Sequence, residues 1–313
     1  MMRKVQGWID HCIGYHDKCS TYAHTNRPMP SRLIKLSVDG NAYLMSTKAT
    51  IKYAALSYCW GSSKQSMTIR SNLRIRYNEL EICRLPRTIQ DAILITKGLG
   101  LGYLWVDSIC IVQDDKIEWA VEAAKMADIY SNAHIVLAAT ATHDANDGFI
   151  NVPRRASSIV THAGPGESFT VEARVVQNHE HFGWDETSLD HYPLSRRGWA
   201  LQERILAVRT LHFLPDEVLF ECKSGLACEC GCVSFRDELS PVTWPPAEED
   251  FEPLLPMEFQ FAHKWFDMVE MYKGRLLTYA DDALPAFSGK ARRTLPLKPV
   301  RYFAGLWERG IAM

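Results

Sequence analysis

Apolar and polar positions follow two rhythms along this chain. A period near 3.6 marks helices; a period of two, or a short unbroken apolar run, marks strands. Residues from about 3 to 17 read as a helix, and RLIKLSV and AYLMST as short strands. KYAALSYCWG is an apolar strand that stops at Trp60-Gly61. LPRTIQDAILITKGLG is an amphipathic helix, with Thr88 as its N-cap and Gly98 or Gly100 closing it. YLWVDSICIV reads as a strand buried on both faces. The acidic loop Gln113, Asp114, Asp115 follows, then a helix with Trp119, Glu122, Met126 and Ile129 on one stripe. AHIVLAAT is another buried strand. Strand, helix, strand, helix, strand predicts a parallel sheet with right-handed crossovers. Beyond Gly148 the pattern is mixed. SRRGWALQERIL reads as a helix and VRTLHFLPDEVLFEC as a hairpin turning at Pro215-Asp216. Residues from about 257 to 277 have helical spacing, and AGLWERGIAM reads as a last helix cut short at Met313. The proline-rich, acidic stretch 241–256 marks a loop or a subdomain boundary.

Composition adds mainly exclusions. With 313 residues, 47% hydrophobic and 23% charged, the chain has the profile of a folded protein rather than a disordered one. A net charge of -2 gives no reason to expect nucleic acid as a partner. Lys290, Arg292, Arg293, Lys298 and Arg301 form the densest basic cluster and read as a solvated surface. No apolar run reaches the roughly 18 to 20 residues of a membrane span. The N-terminus lacks a signal-peptide core, so the expectation is a cytoplasmic protein. Nine cysteines, with Cys59 and Cys110 inside strand-like runs, suit reduced thiols. Cys222, Cys228, Cys230 and Cys232 lie close in sequence, and His11, Cys12, His16 and Cys19 offer further ligands. The single-residue spacers suit one tetrahedral ion poorly, so the reading is free thiols and no metal.

Candidate chemistry gathers where strands end, since ligands of parallel α/β sheets sit at the carboxyl ends of strands. Ser57 and Trp60 close one strand; Asp107 and Ser108 sit near the end of the next. Glu122 is a carboxylate on an otherwise apolar stripe, near the start of its helix. It can bond that helix start, pair with an arginine, or hold a sugar hydroxyl beside Trp119. Arg197 and Arg204 share a face of their helix. They can pair with Glu203, Asp107, Asp114 or Glu122, or bind a phosphate. The sequence has no GxxxxGK[ST], no GxGxxG after a strand, no HExxH and no GxSxG. That argues against P-loop NTPases, ordinary Rossmann dehydrogenases, zincins and α/β-hydrolases.

Five ordered blocks resemble the fungal heterokaryon incompatibility (HET) domain: YAALSYCWG (53–61), LPRTIQDAI (85–93), YLWVDSICIVQDD (103–115), W..E...M..IYSNA from Trp119 to Ala133, and RGWALQER (197–204). The flanks are family-like too, with W...C...H..C from Trp8 to Cys19, LHFLPDEVLFEC and AGLWERG. The resemblance implies a core over residues 51–225, flanked by an N-terminal helix and short strands (1–50) and a C-terminal helical extension (226–313) truncated at its end. The family is associated with non-self recognition and programmed cell death, which implies protein partners or self-association. It is remotely similar to the Toll/interleukin-receptor (TIR) fold. The expected fold is therefore a three-layer α/β sandwich around a central, mostly parallel, TIR- or flavodoxin-like sheet, with mixed α+β flanking segments. Some TIR domains cleave NAD. By that likeness Glu122, with Asp107 and Ser108, would be catalytic. Ser57, Trp60, Trp119, Arg197 and Arg204 would hold NAD or a related nucleotide as substrate, with no cofactor required. Ala200 and Val112 stand where many members have threonine and asparagine. Some members have glutamine at the position of Glu122, which removes the charge that cleavage needs. Two mechanisms stay open: a death effector acting by assembly, and one acting by NAD cleavage. The alternative to both is a divergent enzyme or regulatory interaction protein of the same fold.

Overall fold

The computed structural model describes residues 1–21, 28–47, 49–62, 66–150, 158–164, 167–173, 179, 192–236, 257–294, 302–303 and 306–307. Helices α1 (Met2–Tyr15) and α2 (Asp17–Thr21) precede the hairpin of β1 (Arg32–Leu36) and β2 (Ala42–Ser46). Strand β3 (Ala54–Ser57) follows, then α3 (Leu73–Asn78), α4 (Arg87–Gly98) and β4 (Tyr103–Trp105). The short helix α5 (Asp107–Cys110), α6 (Lys116–Asn132) and β5 (Ile135–Ala138) come next. Strands β6 (Ser158–Gly164) and β7 (Glu167–Ala173) form a separate hairpin. Helix α7 (Gly198–Leu206) leads into β8 (Arg209–Phe213), β9 (Val218–Cys222), β10 (Gly225–Cys228) and β11 (Ser234–Arg236). Helices α8 (Met257–Lys273) and α9 (Pro285–Thr294) then pack on α7 through Phe261, Trp265, Met268 and Phe287.

Nine strands form one sheet in the order β11-β10-β9-β8-β5-β3-β4-β1-β2. Only β8, β5, β3 and β4 run parallel to one another. The strands flanking them on both sides are antiparallel, added by hairpins, so the sheet is mixed rather than mostly parallel. It also crosses the boundaries expected near residues 50 and 225, because β1, β2, β10 and β11 all belong to it. Within the parallel part, β3 connects to β4 on one side and β4 returns past β3 to β5 on the other. The order therefore reverses between β3 and β5.

Several predicted elements change. YLWVDSICIV is not one strand: β4 ends at Trp105, and the carboxylate of Asp107 accepts from the backbone N–H of Ser108 (2.7 Å) to open α5. Asp and Ser favour such helix starts over strand interiors. Thr88 is not an N-cap. Pro86 holds that position, and the Thr88 hydroxyl instead accepts from Gly148 N–H. Gly100 does end α4, with φ +70. In AGLWERGIAM, Leu306–Trp307 pairs as a strand with Tyr302–Phe303, and the rest lies outside the described residues, as does 241–256.

The core is fixed by tyrosines as much as by aliphatics. Tyr53, Tyr58, Trp105 and Tyr130 are all essentially fully buried. Tyr53 donates to the carbonyl of Ile129 (2.6 Å), and Tyr130 to that of Leu56 (3.0 Å). Each ring contributes roughly 1.5–3 kcal/mol of burial, and each hydroxyl stays satisfied. Together they tie α6 to β3.

Candidate functional site

A narrow cleft of about 20 Å³, open in part to solvent, lies where the strand order reverses. Ser57, Val136, Ala138, Thr140, Thr210 and His212 line its sheet side. Leu194, Ser195, Ala200, Arg204 and Arg275 close the other. The segment after α8 brings Arg275 there. Leu276 N–H donates to the carbonyl of Arg196 (2.6 Å), and Leu276 accepts from Gly198 N–H (2.8 Å). A Cβ at Gly198 would lie 2.5 Å from Leu277, so glycine permits this close approach.

Two polar clusters flank the cleft. The first gathers five of the residues singled out from sequence. The Trp60 indole donates to Asp107 (2.9 Å), and the Tyr58 hydroxyl meets that of Ser108 at 2.8 Å. Ser57 donates to Glu203, and Arg197 donates to the backbone carbonyl of Tyr58. Burial pushes the Glu203 carboxyl up to about 7, with the nearby Asp107 adding to the rise and Arg197 opposing it. Burial also raises Asp107. Burial works against the Arg197 cation, but Glu203 and Asp107 outweigh it and hold the guanidinium above its usual range. The cluster sets one half-buried cation, bonded to the Tyr58 carbonyl, within electrostatic reach of two carboxylates.

The second cluster was not legible as a site. Thr140 Oγ1 lies 3.2 Å from His212 Nδ1, and His212 Nε2 lies 2.6 Å from Glu221. Arg204 grips Glu221 through Nε (2.7 Å) and a terminal nitrogen (3.2 Å). Arg204 therefore meets Glu221 rather than Asp107, Asp114 or Glu122. Burial works against the Glu221 anion, yet Arg204 and His212 prevail and hold its carboxyl down to about 2. Burial lowers His212. Half-buried Arg275 donates Nε–H to the Met271 carbonyl (3.1 Å), while burial and the charge of Arg204 both disfavour its cation. The signal was present in the hairpin. Thr210 faces Glu221 directly, and His212 lies two residues along the same face of an otherwise apolar strand pair.

Glu122 and Trp119 do not join either cluster. Glu122 is 1% exposed. One carboxylate oxygen accepts from the Ser31 hydroxyl (2.6 Å) and from Lys125 (2.7 Å); the other accepts from Ser31 N–H (3.2 Å). One turn earlier, Glu118 pairs with Arg32 and accepts from Val112 N–H (2.9 Å). Glu118 and Glu122 of α6 thus clamp consecutive residues, Arg32 and Ser31, where the chain enters β1. Glu122 bonds neither its own helix start nor an arginine. Trp119 packs half-buried against the main core.

The four thiols of ECKSGLACECGC separate. Cys222 faces Cys12, His16 and Cys19; Cys228 and Cys230 lie with His179 and Glu217; Cys232 is exposed. No disulfide joins any of the nine cysteines.

Residues 53–203 match the family model described as heterokaryon incompatibility protein (HET). The chain carries a HET domain. Both polar clusters draw on it: Ser57, Asp107, Arg197 and Glu203 lie within the match, as does Thr140, while Arg204, His212 and Glu221 follow it. The chain is also similar to heterokaryon incompatibility protein 6, OR allele, of Neurospora crassa, at 33% identity over 103 residues. That stretch covers 30% of this chain and 15% of the relative, so the chain spans a small part of that protein's length. No solved structure matches the chain. Among the described residues no helix is long and apolar enough to cross a membrane.

Proposed function

We propose that this HET-domain protein is an effector of non-self recognition that promotes cell death by assembly with itself or a protein partner, rather than by cleaving NAD. The observation that carries this reading is the two-faced character of α6. Its inner stripe is packed: Glu122 is 1% exposed and both its oxygens already accept from Ser31 or Lys125, which shields it from ribose hydroxyls. Its outer face is apolar where a solvated helix would be polar, with Ile117 80% and Val121 50% exposed one turn apart and Ala120 exposed between them. Exposed apolar groups at helical spacing are what a partner surface requires. The test is Ile117→Glu with Val121→Glu, expressed beside the parent chain. Expected are an unchanged circular dichroism spectrum, a smaller species by light scattering, and loss of toxicity. Undiminished toxicity from a folded, non-assembling double variant would refute the reading.

The cleft supports a second reading, in which an anionic ligand such as a nucleotide phosphate binds between Arg204 and Arg275. Arg204 and Arg275 both line the cleft, and Arg204 pairs there with Glu221. Thermal stabilisation by NAD or ADP-ribose, abolished in Arg275→Met, would favour it; no shift at saturating ligand would exclude it.

A further inference from the structure

Four side chains far apart in sequence converge at the edge of the HET core. Cys12 ends the buried face of α1, His16 follows that helix, Cys19 lies in α2 and Cys222 ends β9. Their ligand atoms all lie within 4.8 Å of one another. Tetrahedral zinc with sulfur at about 2.3 Å places its sulfurs about 3.8 Å apart, so closing this set needs only small shifts. His16 Nδ1 is already 3.3 Å from the Cys222 sulfur. The three cysteines are at most 1% exposed.

Charge supplies a separate indication. Arg209 is buried, and its Nε–H points at the Cys12 sulfur (3.2 Å), with a longer bond to the His134 carbonyl (3.5 Å). No carboxylate pairs with it among the described residues. A buried cation against neutral thiols is costly. A zinc ion with three thiolates and one neutral imidazole carries a net charge of -1, which Arg209 balances. Outer-shell N–H donors to ligands of this kind are a regular part of metal sites. Phe235, held at φ 50, stacks its ring on His11 (4.7 Å) and sets its edge against His16 (4.9 Å), covering the one ligand not fully buried.

We propose that Cys12, Cys19 and Cys222 as thiolates, with His16 through Nδ1, bind one zinc ion that fastens the N-terminal helices to the sheet. The ion would close a loop of some two hundred residues and stabilise the domain without taking part in chemistry. His179, Glu217, Cys228 and Cys230 form a distinct group and are not needed for this site.

The test is metal content of the whole chain purified without chelator. About one equivalent of zinc should be present and should be lost in Cys12→Ser and in Cys222→Ser. Cobalt substitution should give the visible bands of a tetrahedral thiolate site, and Cys12, Cys19 and Cys222 should resist alkylation until a chelator is added. If the serine variants do not fold, His16→Cys decides. It should keep the metal and shift the cobalt spectrum towards that of four sulfurs. Parent protein without zinc, folded serine variants with unchanged zinc, or an unchanged cobalt spectrum in His16→Cys would each overturn the assignment.

Discussion

Glu203→Gln should remove a pH dependence of stability built into the buried charge cluster. The Glu203 carboxyl is 2% exposed and is raised from 4.5 to about 7 by burial, with Asp107 nearby. Its folded-state value lies above its unfolded one, so between those values the folded chain holds more protons than the unfolded chain. Stability from this group is therefore highest in acid and falls as the pH rises through about 7. At 1.36 kcal/mol per unit, the loss between about pH 5 and pH 8 is about 2 to 3 kcal/mol. Glutamine keeps an oxygen for the Ser57 hydroxyl and mimics the protonated acid. The assay is urea unfolding of parent and variant at both pH values. The difference in stability between the two proteins should change by that amount, with glutamine favoured at the higher pH. Parallel profiles would show that Glu203 titrates normally and that the cluster is not a desolvated one.

Two further outcomes follow from single residues. Gly61 has φ +71, and a Cβ there would fall inside the carboxylate of Asp144 and 2.8 Å from its Cα. Gly61→Ala should cost about 2 kcal/mol or more, read as a lowered urea midpoint. Glu221→Ala removes the buried carboxylate that pairs with both Arg204 and His212 and should cost about 3–5 kcal/mol. With its carboxyl held down to about 2, Glu221 contributes stability that is whole above about pH 4.5 and lost as the pH falls towards 2, so Glu221→Gln should flatten the acid limb of the stability curve.

The parallel core was legible because β3 and β5 are short apolar runs separated by helices of clear period. The antiparallel flanks were not, because RLIKLSV and LHFLPDEVLFEC read as strands without saying which sheet edge they join. YLWVDSICIV misled because an apolar run does not distinguish strand from helix, and the Asp107 carboxylate at the Ser108 amide decides locally in favour of helix. The first polar cluster was largely readable, since Ser57, Trp60, Asp107 and Ser108 all sit at strand ends. Glu203 entered only as one possible partner of the arginines. Thr140, Arg275 and the hairpin that carries His212 and Glu221 come from three segments; alternation puts His212 and Glu221 on one face of the hairpin, but spacing is silent about their meeting Thr140 and Arg275. The same holds for Cys12 and Cys222. The close spacing of Cys222 to Cys232 suggested one cluster, where the reversal of β9 into β10 produces two.

The central claim is that Glu122 is an anchor for Ser31 and not a catalyst, and Glu122→Gln tests it most directly. Glutamine retains an acceptor for the Ser31 amide and hydroxyl while removing the negative charge that an oxocarbenium-like transition state would need. Parent and variant would be expressed in fungal cells, with viability and cellular NAD followed together. Cell death of equal strength in both, with NAD unchanged, is the predicted result. NAD that falls with the parent chain and is spared by a folded Glu122→Gln variant would contradict the account.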